Sequence, residues 1–142
     1  MFIGEFHHTL DEKGRLAIPV KYRGSLADGA VVTRGLDRSL VVYAKSEWEA
    51  LAAKVAALPL SQSDTRAFAR FMLAGAMDTE TDKSGRIMVP EYLRTYAGLT
   101  KNVVIAGMYD RLEIWDEEAW KVYVTQTEGA SNDIAERLGS VI

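Results

Sequence analysis

Apolar and polar positions along this chain fall into short alternating runs broken by glycine and proline, and the runs occur twice in the same order. The first run predicts a strand over Glu5–Leu10 and a turn at Asp11-Glu12-Lys13-Gly14, with glycine where a tight hairpin needs a positive φ. A returning strand follows over Arg15–Ile18, and Pro19 ends it because proline cannot donate to a ladder. Val20–Leu26 has the length of roughly two helical turns, with Pro19 at the helix start. Ala30–Thr33 and Ser39–Tyr43 are β-branched and apolar and predict a second strand pair. Ser46-x-x-Glu49 reads as a capping box opening a helix, with Trp48, Leu51, Ala52, Val55 and Leu58 on one stripe and Pro59 as its stop. Ser61–Ser63 then caps a further helix, with Phe68, Phe71 and Met72 on one face and Arg66 and Arg70 on the other.

From Gly75 the pattern starts again. Asp11-Glu12-Lys13-Gly14-Arg15 returns as Asp82-Lys83-Ser84-Gly85-Arg86, a period of 71 residues. That period is too long for a solenoid unit and suits two small half-domains. Leu16-Ala17-Ile18-Pro19 has its counterpart in Ile87-Met88-Val89-Pro90, and an arginine stands four residues beyond each proline, Arg23 and Arg94. Further on, Val103-Val104-Ile105 stands for Val31-Val32-Thr33, Gly107 for Gly35, Trp115 for Tyr43 and Trp120 for Trp48. Each copy therefore reads as hairpin, short helix, hairpin, longer helix. Asp116 caps the last long helix, expected to run to about Gln126, and a short final helix carries Ile134, Leu138 and Val141 on one stripe. The expected division is 1–55 and 75–127 for the two halves, 56–74 for a helical connector and 128–142 for a C-terminal tail helix. Halves of about fifty residues bury too little surface to stand alone. The two are expected to form one intertwined domain, a mixed sheet or small barrel with pseudo-two-fold symmetry that brings both glycine turns to one side.

Composition narrows the function. With 48% hydrophobic and 26% charged residues the chain is ordinary globular protein. It has no cysteine, which excludes disulfides, thiolate metal sites and cysteine nucleophiles. The start of the chain lacks the basic and apolar segments of a signal peptide, and no run approaches the ~20 apolar residues of a membrane span. A cytoplasmic protein without a membrane partner is expected. The net charge of −3 counts against a nucleic-acid partner, but the charges are unevenly spread. Lys13 to Arg38 holds six basic residues against two acidic ones, and Asp110 to Glu118 holds five acidic against one basic. An acidic chain with one basic face remains consistent with DNA binding.

Asp11-x-x-Gly14-Arg15-x-x-Ile18-Pro19 and Asp82-x-x-Gly85-Arg86-x-x-Val89-Pro90 resemble the hairpin signature of the AbrB/SpoVT swapped-hairpin transcription factors. Two such units in a chain of this length, beginning Met-Phe-x-Gly-Glu, are similar to the MraZ family, and the likeness runs from Met1 to about Gln126. The resemblance implies an α+β fold: a double swapped-hairpin, AbrB-like β-barrel with flanking helices. It also implies a ring of identical chains, bound to tandem short repeats in promoter DNA on the nucleoid, that represses its own division and cell-wall operon. The family's DNA-contacting motif falls here on Asp11/Arg15 and Asp82/Arg86. One departure is that the turn lysine stands just before Gly14 in the first copy and directly after Asp82 in the second.

For a lone hairpin, an Asp–Arg pair across the turn is structural and contributes at most ~1 kcal/mol. Its retention in two copies that otherwise differ favours a shared task, in which Asp11 and Asp82 orient Arg15 and Arg86 toward guanine edges while Gly14 and Gly85 make the turn. Lys13 and Lys83 are candidates for phosphate contact, and Arg23 and Arg94 are equally suited to DNA or to support of the sheet. His7 and His8 alternate on one strand without a ligand set around them, so no metal site is expected, and neither a nucleophilic constellation nor a phosphate-cradling loop points to an enzyme or a cofactor. Trp48, Trp115 and Trp120 are expected in the core. Two rivals remain: an AbrB-like antitoxin, and a ring-forming assembly protein without a DNA role.

Overall fold

The computed structural model describes residues 1–141; the last residue of the expected tail, Ile142, lies outside the described residues. The first copy contributes β1 (Phe2–Thr9), β2 (Arg15–Ala17), α1 (Val20–Arg23) running into a 3-10 turn at Gly24–Leu26, β3 (Ala30–Arg34), β4 (Leu40–Ala44) and α2 (Lys45–Ala56). The connector carries α3 (Ser63–Ala69), which widens into a π turn over Arg70–Ala74. The second copy gives β5 (Met77–Thr79), β6 (Arg86–Met88), α4 (Glu91–Ala97), β7 (Asn102–Tyr109), β8 (Leu112–Asp116) and α5 (Glu117–Gly129), followed by α6 (Ser131–Arg137). The fold is α+β.

Six strands form one sheet in the order β1-β7-β8-β4-β3-β5, and β2 pairs with β6 as a separate two-stranded ribbon. Every pairing is antiparallel, so the expected mixed sheet is not found. The ladder ends in edge strands β1 and β5 and does not close. The predicted hairpin around Gly14 is also changed: β1 and β2 share only the Leu10–Leu16 bridge, while β1 runs along β7 from Phe2–Tyr109 to Thr9–Asn102. The reason lies in the partners. β7 offers eight residues to β1, whereas β2 has three, and Leu16 needs the apolar face of β6. Exchanging the copies maps β1–β7 onto β5–β3 and β7–β8 onto β3–β4, and maps β4–β8 and β2–β6 onto themselves.

One core lies between the sheet and the ribbon. Val32, Leu40, Val42, Val103, Ile105, Leu112 and Ile114 face it from the sheet, and Leu16, Ile18, Ile87 and Val89 close it from the ribbon side, with Leu26 and Leu93 from the short helices. The alternate residues Val31, Val41, Val104 and Trp115 are buried as well, on the other face of the sheet. That second burial is why the central strands read as continuous apolar runs. Thr33 is fully buried there, and its hydroxyl donates to the Met72 carbonyl at 2.7 Å, tying the connector to β3. At the edge of the core the Tyr22 hydroxyl donates to the Ile3 carbonyl and accepts from the Ile3 N–H at 3.0 Å, anchoring β1 to α1.

The helix starts differ from expectation. Helix α2 opens one residue before Ser46, with Ala44 as an N-cap that has no side-chain bond, so the capping box does not form. Gln62 precedes α3 and likewise makes no side-chain cap bond. Asp116 does cap α5, accepting from the Ala119 N–H at 3.1 Å. Of the three tryptophans only Trp115 is buried; Trp48 and Trp120 are half-buried and pack on Tyr43 and Trp115. Helix α6 ends at Arg137, before Leu138 and Val141 of the expected stripe.

Candidate nucleic-acid interface

Each turn is built by its aspartate. The Asp11 carboxylate accepts from the backbone N–H of Lys13 at 2.9 Å and of Arg15 at 2.8 Å through Oδ1, and from Arg15 Nε at 2.6 Å through Oδ2. Asp82 repeats the set with Ser84 N–H, Arg86 N–H and Arg86 Nε, each at 2.9 Å. The main chain closes the same loop twice: Gly14 N–H donates to the Asp11 carbonyl at 3.0 Å, and Gly85 N–H to the Asp82 carbonyl at 2.9 Å. Gly14 and Gly85 sit at φ +80° and +75°, which side chains rarely adopt. The spacing Asp-x-x-Gly-Arg is thus the spacing of one side-chain-closed turn. The unequal lysines follow from it. Position 13 and its counterpart Ser84 contribute only a backbone N–H, so the turn leaves their side chains unspecified.

The backbone N–H of Arg15, ahead of the guanidinium, holds the Asp11 carboxyl below its ordinary value, and the N–H of Arg86 does the same for Asp82. Both carboxylates are charged at neutral pH and fix the adjacent guanidinium through its Nε. Among the described residues the two Nη groups of Arg15 have no hydrogen-bond partner, and those of Arg86 have only a long ion pair from Nη1 to Asp11 Oδ2 at 3.7 Å. That pair joins the two turns directly. Lys13 and Lys83 are exposed and enter no ion pair among the described residues.

The ribbon sets how these groups face. In β2–β6, Arg15 lies opposite Met88, Leu16 opposite Ile87 and Ala17 opposite Arg86. Leu16 and Ile87 point into the core, 0% and 1% exposed, so Arg15, Ala17, Arg86 and Met88 share the outer face. Arg15 and Arg86 are diagonal neighbours across the ribbon, a relation that places Cα atoms about 7–8 Å apart.

Arg23 and Arg94, whose roles the sequence left open, lie against the opposite copy's turn. A Cβ on Gly14 would stand 2.8 Å from Arg94 Cζ, and one on Gly85 would stand 2.6 Å from Arg23 Cδ. The signal in the sequence was their equal distance from the prolines, but nothing in the pattern says that they cross.

Elsewhere, a depression of about 400 Å³ between α2, α3 and the β3–β4 turn is floored by Val41, Val55 and Met72, and no residue of either charged turn lines it. His7, on the exposed face of β1, bonds Glu117 through Nδ1 at 3.2 Å and Glu5 through Nε2 at 3.1 Å. Among the described residues no three His, Cys, Asp or Glu side chains converge as metal ligands would, and no helix is long and apolar enough to cross a membrane.

Comparison with known proteins agrees with the duplicated turn. The family model described as "MraZ protein, putative antitoxin-like" matches twice, over residues 1–71 and 72–140. Proteins named transcriptional regulator MraZ from Natranaerobius thermophilus, Thermoanaerobacter pseudethanolicus and Ligilactobacillus salivarius are 51%, 47% and 46% identical over 138 residues, which is 97% of this chain and 96% of each relative.

Proposed function

The chain belongs to the MraZ family, and from that membership we propose that it is a sequence-specific DNA-binding regulator of transcription that reads the major groove with the outer face of its β2–β6 ribbon. The observation that carries the proposal is the placement of both repeated arginines on one face of a two-stranded ribbon, each oriented by an aspartate through Nε, with no hydrogen-bond partner on their Nη groups among the described residues beyond the long ion pair of Arg86 to Asp11. A two-stranded ribbon is one of the two elements that fit the major groove, and an arginine fork is the usual partner of guanine O6 and N7. Their diagonal separation of about 7 Å corresponds to roughly two base-pair steps of 3.4 Å. Lys13 and Lys83, at the tips of the turns, contact phosphate.

The finer reading follows the family. Strands β1, β2, β5 and β6 all pair across the copies, which supports the swapped-hairpin arrangement with residues 1–55 and 75–127 as halves of one intertwined domain and 56–74 as connector. The C-terminal arm supports self-association, since neither α5 nor α6 buries a residue within the chain and Val122 and Leu138 are exposed. A closed ring of such chains presents its ribbons to tandem short promoter repeats, in the cytoplasm and on the nucleoid, and represses its own operon. Many modest contacts then add through multivalency, which is how a chain of net charge −3 binds a polyanion.

The test is binding to the DNA upstream of the chain's own gene, with wild type against Arg15→Ala and Arg86→Ala. Each variant is expected to lose affinity about ten- to hundredfold per bidentate contact while melting temperature and oligomeric state hold. Unchanged affinity would overturn the proposal, and would favour an assembly protein without a DNA role. A slope of log K against log salt near zero would remove the phosphate contacts. Co-purification of a stoichiometric second protein would favour an antitoxin.

A further inference from the structure

Arg23 and Arg94 form a crossed brace. Helix α4 of the second copy sends Arg94 onto Gly14 in the first copy's turn, and α1 of the first copy sends Arg23 onto Gly85 in the second copy's turn. The backbone makes the same exchange, with Val89 N–H donating to the Gly14 carbonyl at 2.8 Å and Ile18 N–H to the Gly85 carbonyl at 2.9 Å. Arg23 is fixed in turn, because its Nε donates to the Ile18 carbonyl at 2.9 Å. Each glycine is therefore held on its carbonyl side by a main-chain N–H and covered on its α-carbon by a guanidinium, both from the other copy. Both arginines are half-buried.

Resting on the DNA-reading function proposed above, we infer that Arg23 and Arg94 are positioning residues for recognition, each fixing the reading arginine of the opposite copy. Arg94 governs Arg15, and Arg23 governs Arg86. The physical basis is that Arg15 and Arg86 hold a defined direction only while the turn that carries Asp11 or Asp82 is rigid. A glycine at positive φ is the softest point of such a turn, and the brace removes that softness. The requirement is a flat group of defined orientation above a bare α-carbon, which a guanidinium supplies and a flexible ammonium does not. Each brace thereby fixes the direction of one reading arginine, the one whose turn it covers.

The experiment uses the full chain and its upstream DNA. Arg94→Lys keeps the charge and is expected to reduce affinity about tenfold with the salt slope unchanged, because no phosphate contact is lost. Double-mutant cycles give the decisive pattern. Arg94→Lys and Arg15→Ala are expected to be strongly non-additive, as are Arg23→Lys and Arg86→Ala, whereas Arg94 with Arg86 and Arg23 with Arg15 add. A merely structural role would couple each brace to both readers alike. Three results would overturn the inference: wild-type affinity in both lysine variants, additivity in every pair, or coupling to the reader of the same copy. An Arg94→Ala variant that lowers the salt slope by about one, with Arg94→Lys normal, would instead make Arg94 a phosphate contact. The brace is also readable without DNA. In Arg94→Lys, hydrogen exchange is expected to rise at the Lys13 and Arg15 amides and to stay unchanged at Ser84 and Arg86. If Arg15→Ala leaves DNA affinity intact while this exchange pattern holds, the DNA reading fails and the crossed support of the turns stands; a uniform exchange response would remove the brace itself.

Discussion

Alanine substitutions at three left-handed glycines separate the backbone requirement from the packing around the turns. Gly14, Gly85 and Gly98 have φ of +80°, +75° and +63°, so each alanine carries the same left-handed cost of about 1–2 kcal/mol, offset by roughly 0.4–1 kcal/mol from the stiffer unfolded chain. Gly98 ends α4 in open space, with nothing within 4 Å of an added Cβ, and Gly98→Ala is expected to cost only the net ~1 kcal/mol. At Gly85 the new methyl meets the Arg23 side chain and displaces Nε from the Ile18 carbonyl, adding about 1 kcal/mol for the lost hydrogen bond. At Gly14 it also meets the Val89 carbonyl oxygen at 2.6 Å, a main-chain atom that cannot swing away, and overpacking of this kind adds about 1–3 kcal/mol. The expected order of destabilisation is Gly14→Ala, then Gly85→Ala, then Gly98→Ala, spanning ~2 kcal/mol. Urea unfolding at one protein concentration reads this as a midpoint difference of about 1 M between the first and the last, for a slope near 2 kcal/mol/M. Equal midpoints for Gly14→Ala and Gly98→Ala would show that neither Arg94 nor Val89 packs against the turn, and the crossed brace would fall with it.

The core of the ribbon gives a second contrast: Leu16→Ala, at a side chain with 0% exposure, is expected to cost about 2–5 kcal/mol. Met88→Ala on the outer face, 45% exposed, is expected to stay within ~0.5 kcal/mol, and equal urea midpoints for the two would contradict the assigned faces. Asp11 and Asp82 titrate below their ordinary 3.8, so the stability they contribute is present above 3.8 and is lost as pH falls through the lower folded values. Carboxyl NMR midpoints at or above 3.8 would refute the turn geometry. His7 moves the other way: its hydrogen bond to Glu117 raises it above 6.5, so the tie between β1 and α5 is fully present below 6.5 and fades as pH rises through the folded midpoint. Glu117→Gln is expected to lower the His7 imidazole midpoint, and an unchanged titration would refute the tie.

The strands, the last long helix and both charged turns were legible because each depends on local chemistry. Asp-x-x-Gly-Arg encodes a turn in which one carboxylate satisfies two N–H groups and a guanidinium, and all of these atoms lie within five residues. What pairs with what was less legible. Nothing within residues 1–17 says that β1 prefers β7 over β2, since that choice depends on eight residues about a hundred positions away. The false capping box at Ser46 has a similar cause. Lys45 N–H donates to the Gly29 carbonyl at 3.1 Å, so the chain enters α2 from a tertiary contact and starts the helix one residue early. Arg23 and Arg94 were visible as a repeated spacing, but their role is a contact between copies.

Duplication explains how a small, net acidic chain places Arg15 and Arg86 so close together. A single copy supplies one turn and one three-residue strand, and that strand's partner lies in the other copy, as do the N–H group and the guanidinium that hold its glycine. The turn is thus unfinished without its counterpart, and the same contacts that finish it fix its distance from the second turn. Because Asp11 lies between Arg15 at 2.6 Å and Arg86 at 3.7 Å, the two guanidinium groups are drawn to one carboxylate despite their like charge. Their mutual repulsion is offset within the ribbon, so the outer face presents paired Nη forks without a broad basic surface around them. Under the proposed DNA reading, local charge at the ribbon, more than net charge, is what a groove lined with guanine acceptors meets.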